Sequence, residues 1–291
     1  MSDGTVPWSA FAAEAERRLA EAGIEQPELE GRWLVEEAAG FSSGEWFERR
    51  FELATVRGVA RFDQMIERRL AGVPIQYVLG HWPFRMLDLM IDTRVLIPRP
   101  ETEVLAGLVL DRLASIRSPL VVDLGTGSGA IGLAVAFEHP TAQIWLTDSD
   151  PDAISVARAN LAGLGRHGSR VGIVEGDWFE ALPEDLRGTV DVLVSNPPYV
   201  ADDAQLDASV IDHEPHTALF SGPQGTNDLA MIVNGAPGWL AESGALFLEM
   251  GPQQVALVCS WCRDAGFGSV VTARDLAGIE RFVIATRGQP L

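Results

Sequence analysis

The run Pro119-Leu-Val-Val-Asp-Leu124 leads at once into Gly125-Thr-Gly-Ser-Gly129 and then the apolar stretch Ala130-Ile-Gly-Leu-Ala-Val-Ala136. A short, nearly continuous apolar run is the pattern of a parallel strand buried on both faces. The glycines permit a turn with positive φ and a close backbone approach to a ligand. The stretch therefore reads as strand, tight turn, helix. A strand of this kind cannot stand alone, and the chain supplies its neighbours. Ala142-Gln-Ile-Trp-Leu-Thr147, Val171-Gly-Ile-Val174, Val190-Asp-Val-Leu-Val-Ser195, Gly244-Ala-Leu-Phe-Leu-Glu249, Ser269 to Ala273 and Arg281 to Thr286 all read as strands. Helical patterns separate them, so the expected fold class is α/β, built on an open sheet.

The turn excludes one large group of ligand sites. A nicotinamide or flavin fingerprint wants G-x-G-x-x-G, and the sixth position from Gly125 is Ala130. The spacing is G-x-G-x-G, preceded by Asp123. The second strand ends at Asp148, where a carboxylate commonly accepts the ribose hydroxyls of an adenosine cofactor. The third runs into Glu175-Gly-Asp177-Trp-Phe179. There Asp177 is placed to accept an adenine amino group, with Trp178 or Phe179 as an apolar face.

The strand Val190 to Ser195 ends in Asn196-Pro-Pro-Tyr199. Open α/β sheets bind ligands at the carboxyl ends of their strands, so these four residues belong to the site. Each proline fixes its own φ, and Pro198 further restricts Pro197. The stiff turn presents the Asn196 amide and the Pro197 carbonyl. Neither proline has an N–H, so the stretch offers mainly acceptors, which suit a substrate that brings an NH2 group. The expected chemistry is on an amide or amino nitrogen.

The length of 291 residues points to two domains. Residues 8 to about 75 contain no convincing strand, and Phe11 to Ala22, Pro27 to Ala39 and Arg61 to Ala71 read as amphipathic helices. The second is expected to bury a stripe of Leu29, Trp33 and Leu34, the third one of Phe62, Met65, Ile66 and Leu70. Gly80 to Ile97 reads as a hairpin linker anchored by Phe84, Leu87, Leu89 and Ile91. Pro98-Arg-Pro-Glu-Thr-Glu103 then opens a helix, with Pro100 and the acids Glu101 and Glu103 in its first turn. The boundaries expected are 1–78 for a helical substrate-recognition domain, 79–97 for the linker and 98–291 for the catalytic domain.

Net charge is −19, and all 22 basic residues are Arg. That removes the simplest electrostatic route to nonspecific duplex binding. No stretch of 18 uninterrupted apolar residues appears and the amino terminus lacks a basic signal region, so a cytoplasmic protein without membrane partners is expected. Cys259-Ser-Trp-Cys262 lies inside an amphipathic helix and reads as packing. His213 and His216 with Asp212 and Glu214 resemble a ligand cluster only superficially, and no metal site is expected.

With these residues in view, the chain resembles the bacterial family that methylates the glutamine of the Gly-Gly-Gln motif in peptide-chain release factors. The likeness covers nearly the whole chain, more weakly over residues 1 to 60. It rests on Arg68-Arg-Leu-Ala-Gly-Val-Pro-Ile-Gln-Tyr-Val-Leu-Gly80, Val95-Leu-Ile-Pro-Arg-Pro-Glu-Thr-Glu103 and Asp123-Leu-Gly-Thr-Gly-Ser-Gly-Ala-Ile131. Asp177-Trp-Phe179, Asn196-Pro-Pro-Tyr199, Glu214-Pro215 with Ala218-Leu219, and Leu248-Glu-Met-Gly-Pro-Gln-Gln254 add to it. Where the family usually carries Gly-Leu-Asp, this chain has Gly225-Thr-Asn-Asp-Leu229.

The resemblance implies a five-helix domain, a hairpin linker and a seven-stranded Rossmann-like methyltransferase sheet whose last strand runs antiparallel. It implies S-adenosylmethionine as cofactor, with S-adenosylhomocysteine as product, and release factors as partners of a monomeric enzyme that needs no nucleic acid. Gly125, Thr126, Gly127, Gly129, Asp148, Asp177, Trp178 and Asn196 are then expected at the cofactor. Asn196 and Pro197 receive the amide hydrogens, with Pro198, Tyr199 and Glu101 near the substrate. Two other substrates fit the same turn: adenine in nucleic acid, and a ribosomal-protein glutamine. The ribosomal-protein enzymes are expected to carry Ser-Pro in place of Pro100-Glu101.

Overall fold

A computed structural model describes residues 6–42 and 44–288, and it divides into two compact units, 1–81 and 82–291. The division falls three residues after the boundary expected at 78. Residues 82–97 of the linker and the Pro98 segment group with the sheet unit.

In the first unit, α1 (Trp8–Glu21), α2 (Pro27–Ala39), α3 (Trp46–Arg49), α4 (Val56–Leu70) and α5 (Ile75–Leu79) pack around Leu19, Leu34, Phe62 and Ile66, all but sealed from solvent. Burying side chains of this kind contributes about 1.5–3 kcal/mol each, enough to hold short helices together. α4 begins five residues before the expected start, because Thr55 caps it by accepting from the Gly58 amide at 3.1 Å. On α2 the expected stripe is out of phase. Leu29 is exposed, while Glu30, Gly31, Leu34, Val35 and Ala38 are buried. Glu30 tolerates burial because Arg69 grips both its oxygens, at 2.5 and 3.2 Å.

A hairpin of β1 (His81–Phe84) and β2 (Leu87–Met90) follows, all but its first residue in the second unit, and it is shorter than the expected span of 80–97. Phe84 and Leu89 are buried as anchors and Ile91 is buried just beyond the strand, whereas Leu87 is only half-buried. After α6 (Pro100–Leu113) come β3 (Leu120–Leu124), α7 (Ala130–Glu138), β4 (Gln143–Asp148), α8 (Pro151–Gly163), β5 (Val171–Glu175) and β6 (Val190–Ser195). The chain continues through α9 (Ala208–Ile211), α10 (Asn227–Gly235), β7 (Leu240–Glu249), α11 (Val255–Asp264), β8 (Ser269–Arg274) and β9 (Glu280–Thr286). The sheet order is β5-β4-β3-β6-β7-β9-β8. β3 pairs in parallel with β4 and β6, and β7 with β6. β9 runs antiparallel to both β7 and β8.

This is the expected seven-stranded sheet with its last strand reversed. The strand order reverses between β3 and β6, so their carboxyl ends leave a crevice. Cys259 and Cys262 lie buried in the apolar core on α11, and burial pushes the Cys262 thiol up to about 12. Among the described residues no helix is long and apolar enough to cross a membrane.

Candidate active site

The crevice at the carboxyl ends of β3, β4, β5 and β6 is lined by Gly125, Thr126, Gly127, Asp148, Asp177, Trp178, Asn196 and Pro198, all named from the sequence. Gly129, Glu101, Pro197 and Tyr199 do not line it. Gly129 stands one step back, as the left-handed residue that starts α7. The Pro197 ring is buried, and Glu101 lies in the first turn of α6.

The glycine turn is tied to β4 at two points. Thr126 N–H donates to the Thr147 carbonyl at 2.9 Å, and Gly127 N–H to Asp148 Oδ2 at 2.8 Å. Asp148 Oδ1 accepts from the Asp150 amide at 3.0 Å. Each carboxylate oxygen has two lone pairs, so both retain capacity for a ribose hydroxyl. Burial raises the Asp148 pKa, and the backbone amides of Asp150, Gly127 and Ser149 offset only part of the rise.

Gly125 has φ +66, and a Cβ there would sit 3.2 Å from the Trp178 ring. Trp178 itself holds φ +40, rare for a bulky residue. Glycine turn and indole therefore approach each other closely, and the ring forms a flat apolar wall in the crevice. Phe179, the other aromatic candidate, stacks instead on Trp239 with ring centroids 6.0 Å apart. A carboxylate for ribose, an aromatic wall and the Asp177 acceptor together fit an adenosine group.

Beneath the turn, Asp123 is sealed from solvent. Its Oδ2 accepts from Thr126 Oγ1 at 2.7 Å and the Gly132 amide at 2.9 Å, while Oδ1 has no partner among the described residues. Desolvation pushes its pKa up to about 7, against the two hydrogen bonds. A folded-state pKa raised above the unfolded value makes a contribution to stability that is present below about pH 4 and lost as pH rises through about 7. Asp123→Asn keeps an oxygen for both donors and does not titrate. The ligand-free wild type should therefore lose melting temperature relative to this variant between mildly acidic and neutral pH. Parallel curves would place the ionised form in the folded protein throughout.

Several residues that support the site have no role legible in the sequence. Asn160 on α8 accepts from the Met90 amide at 2.7 Å and donates to the Ser128 carbonyl at 2.9 Å, linking hairpin and glycine turn. An isolated amide on the apolar face of a helix was its only mark. Glu214, part of the apparent ligand cluster, is buried and engaged: it accepts from Arg99 at 2.5 Å and from the Ile97 amide at 3.2 Å. His216 Nε2 lies 3.0 Å from the Ile211 carbonyl. Gln254 donates to the carbonyls of Tyr199 at 2.9 Å and Gly225 at 2.8 Å, and accepts from the Gly251 amide at 3.0 Å. It thereby fixes the end of the Asn-Pro-Pro-Tyr turn. Tyr199 is mostly buried, and desolvation first, then Glu249, pushes its pKa up to about 12, so it is a neutral phenol.

Comparison with known proteins gives the chain its family. Residues 12–80 match the PrmC N-terminal domain, and residues 102–216 the methyltransferase small domain. The release factor glutamine methyltransferase of Bordetella pertussis is 41% identical over 264 residues, covering 90% of this chain and 95% of that protein. That of Moorella thermoacetica is 39% identical over 278 residues, covering 94% and 96%. A solved methyltransferase from Pyrococcus furiosus shares the fold, with a TM-score of 0.50 at 18% identity over 79% of this chain and 98% of that one. The chain belongs to the release factor glutamine methyltransferase family.

Proposed function

We propose that this enzyme transfers the methyl group of S-adenosylmethionine to the side-chain amide nitrogen of the glutamine in the Gly-Gly-Gln motif of release factors. The observation that carries the reading is the convergence of an adenosine-compatible wall and an acceptor-rich turn on one crevice. Asp148, Asp177, Trp178 and the turn Gly125 to Gly127 would hold the cofactor. When bound, it supplies an electrophilic methyl group on a positively charged sulfur. A primary amide nitrogen is a poor nucleophile, its lone pair being delocalised into the carbonyl. Asn196 Oδ1 and the Pro197 carbonyl would each accept one of its N–H groups. That fixes the nitrogen's direction and stabilises the positive charge it gains. The methylated amide is strongly acidic in its cationic form, so its proton leaves without a dedicated base. An uncharged nucleophile also avoids the cost of desolvating an anion.

The helical unit serves as a platform for the folded factor, since a short loop offers little recognition area. Exposed Phe47, Phe51 and Leu53 make it suitable. Because the substrates work on the ribosome, the enzyme is read as cytoplasmic.

Incubation with labelled cofactor and purified release factors, followed by mapping of the modified residue, tests the reading. Label on any residue other than the motif glutamine, or on RNA alone, overturns it. The cofactor half has its own test. Asp148→Ala removes a charged acceptor and also frees the Gly127 amide, and hydrogen bonds to charged groups contribute roughly 1.5–3 kcal/mol each. Calorimetry should show affinity for S-adenosylmethionine falling at least about tenfold. An unchanged dissociation constant would place the ribose elsewhere.

A further inference from the structure

We infer that Arg99 binds the carboxylate at the amino-acid end of S-adenosylmethionine, with Glu214 holding its guanidinium in place. The inference rests on the cofactor reading above and concerns the end of the cofactor which that reading leaves without a partner.

The cofactor's sulfur carries an adenosyl group, a methyl group and a short chain that ends in an ammonium and a carboxylate. Asp148, Asp177 and Trp178 account for the adenosyl group, at the ends of β4 and β5. The methyl group must point toward Asn196, at the end of β6. The remaining chain leaves the same sulfur, and its carboxylate needs a cation or free N–H donors once it is out of water.

The crevice is poor in both. Asp148, Asp150 and Asp177 line it, and like charge repels a carboxylate there. Three amides of the glycine turn are engaged within the protein. Thr126 N–H donates to the Thr147 carbonyl, Gly127 N–H to Asp148 and Gly129 N–H to the Thr126 carbonyl. Arg94 and Arg99 are the arginines in the wall. Asp92 occupies Arg94, accepting from its Nε at 2.9 Å and its Nη2 at 2.6 Å.

Arg99 is differently placed. Its Nη2 donates to Glu214 Oε1 at 2.5 Å, and among the described residues Glu214 is the one hydrogen-bond partner of its side chain. A guanidinium carries five N–H groups in a planar fork, so donors remain for a second carboxylate. The pair is also lopsided. The Glu214 side chain is 1% exposed and stands behind the crevice wall, whereas that of Arg99 is 34% exposed and forms part of the wall. Glu214 Oε2 accepts from the Ile97 amide at 3.2 Å, so its carboxylate is held at both oxygens. A fixed, buried acid thus sets the direction of the guanidinium and leaves the open side of the fork to the crevice.

The cation also stands at the correct end. Arg99 is the N-cap residue of α6, and its carbonyl accepts from the Thr102 amide at 3.1 Å. Thr102 Oγ1 in turn lies 3.2 Å from Asn196 Nδ2. Arg99 therefore belongs beside the methyl-accepting turn after β6, and β3 separates that turn from Asp148.

The test is calorimetric binding of two ligands by the full-length enzyme: S-adenosylmethionine and its decarboxylated analogue, which keeps the adenosine, sulfonium and amine. The crevice acids act on each ligand in every variant, so the change in preference on removing Arg99 is the quantity that counts. In Arg99→Ala the preference for the carboxylated ligand should fall about tenfold or more, the order of one charge-assisted hydrogen bond. Affinity for the decarboxylated analogue should weaken by no more than a few-fold. If that variant does not fold, Arg99→Gln decides. It keeps an amide N–H for Glu214, lacks the charge and should show the same loss of preference. Equal weakening of both ligands would reduce Arg99 to a strut between two loops and overturn the inference. An unchanged preference would overturn it as well, and would place the carboxylate on backbone amides. If the wild type binds neither ligand, the cofactor reading itself falls. If it binds S-adenosylmethionine and either of those two results appears, only the assignment of Arg99 falls.

Discussion

Asn196→Ala is expected to slow single-turnover methylation of a release factor on the order of a hundredfold while S-adenosylmethionine affinity stays near wild type. The scale is that of removing one preorganised group from a transition-state clamp. The lost acceptor matters little in the ground state, where the amide N–H is weakly polarised. It matters more as positive charge grows on the nitrogen, so kcat and kcat/KM should fall together. Asn196→Asp keeps an oxygen toward the substrate and should be less damaged. It also replaces the Nδ2 that donates to Thr102 Oγ1 with a second oxygen, so it should still be slower than wild type. The expected order is wild type, then Asp, then Ala. Methyl transfer by Asn196→Ala at the wild-type rate would refute the amide clamp, whatever the family relationship.

The sheet was legible because burial on both faces leaves a strand no freedom of composition. Leu120–Leu124 and Val190–Ser195 are apolar almost throughout, and their ends had to carry the polar groups of the site. Asp148, Asp177 and Asn196 were found by that rule alone. The helical unit was less legible because its pairings are not local. The phase of α2 turns on Glu30 meeting Arg69, 39 residues away, and a carboxylate in the apolar stripe reads as solvent-facing until its partner is known. α3 and α5 have four and five residues, too few for a period to emerge.

The supporting shell of the site was illegible for the same reason. Gln254 and Glu249 lie in the stretch Leu248 to Gln254, which carries family resemblance but no physical role that sequence alone reveals. Only the fold shows that Gln254 holds the Tyr199 carbonyl and that Glu249 is buried at the end of β7, beside the strand that leads into Asn196. Thr102 sits between two acids that advertise a helix start, and that reading hid it.

Gly225 carries the second large effect, in the loop where this chain departs from the usual family pattern. Its φ is +66, and a Cβ there would fall 2.8 Å from both the Ala201 nitrogen and the Tyr199 carbonyl carbon, and closer still to the Tyr199 oxygen. These are backbone atoms that cannot swing aside. Gln254 holds the Tyr199 and Gly225 carbonyls together from the other side, so the segment after Pro198 is clamped between loop and amide. Gly225→Ala must therefore push on the turn that presents Asn196 and Pro197. Left-handed backbone costs a non-glycine residue about 1–2 kcal/mol, and forced overpacking typically adds about 1–3 kcal/mol. Methyl transfer should fall on the order of a hundredfold, since displacements of about an ångström at reacting groups have effects of that size. Gly278→Ala separates the two causes. Gly278 has φ +79 with nothing within 4 Å of a built Cβ. That variant should lose a little stability and none of the transfer rate. Cofactor affinity should hold in both, because the Gly125 to Gly127 turn and Asp148 lie on other strands. If Gly225→Ala behaves like Gly278→Ala in thermal melts and in single-turnover rate, the loop does not shape the turn. The geometry of Asn196 would then be set from the Thr102 side alone.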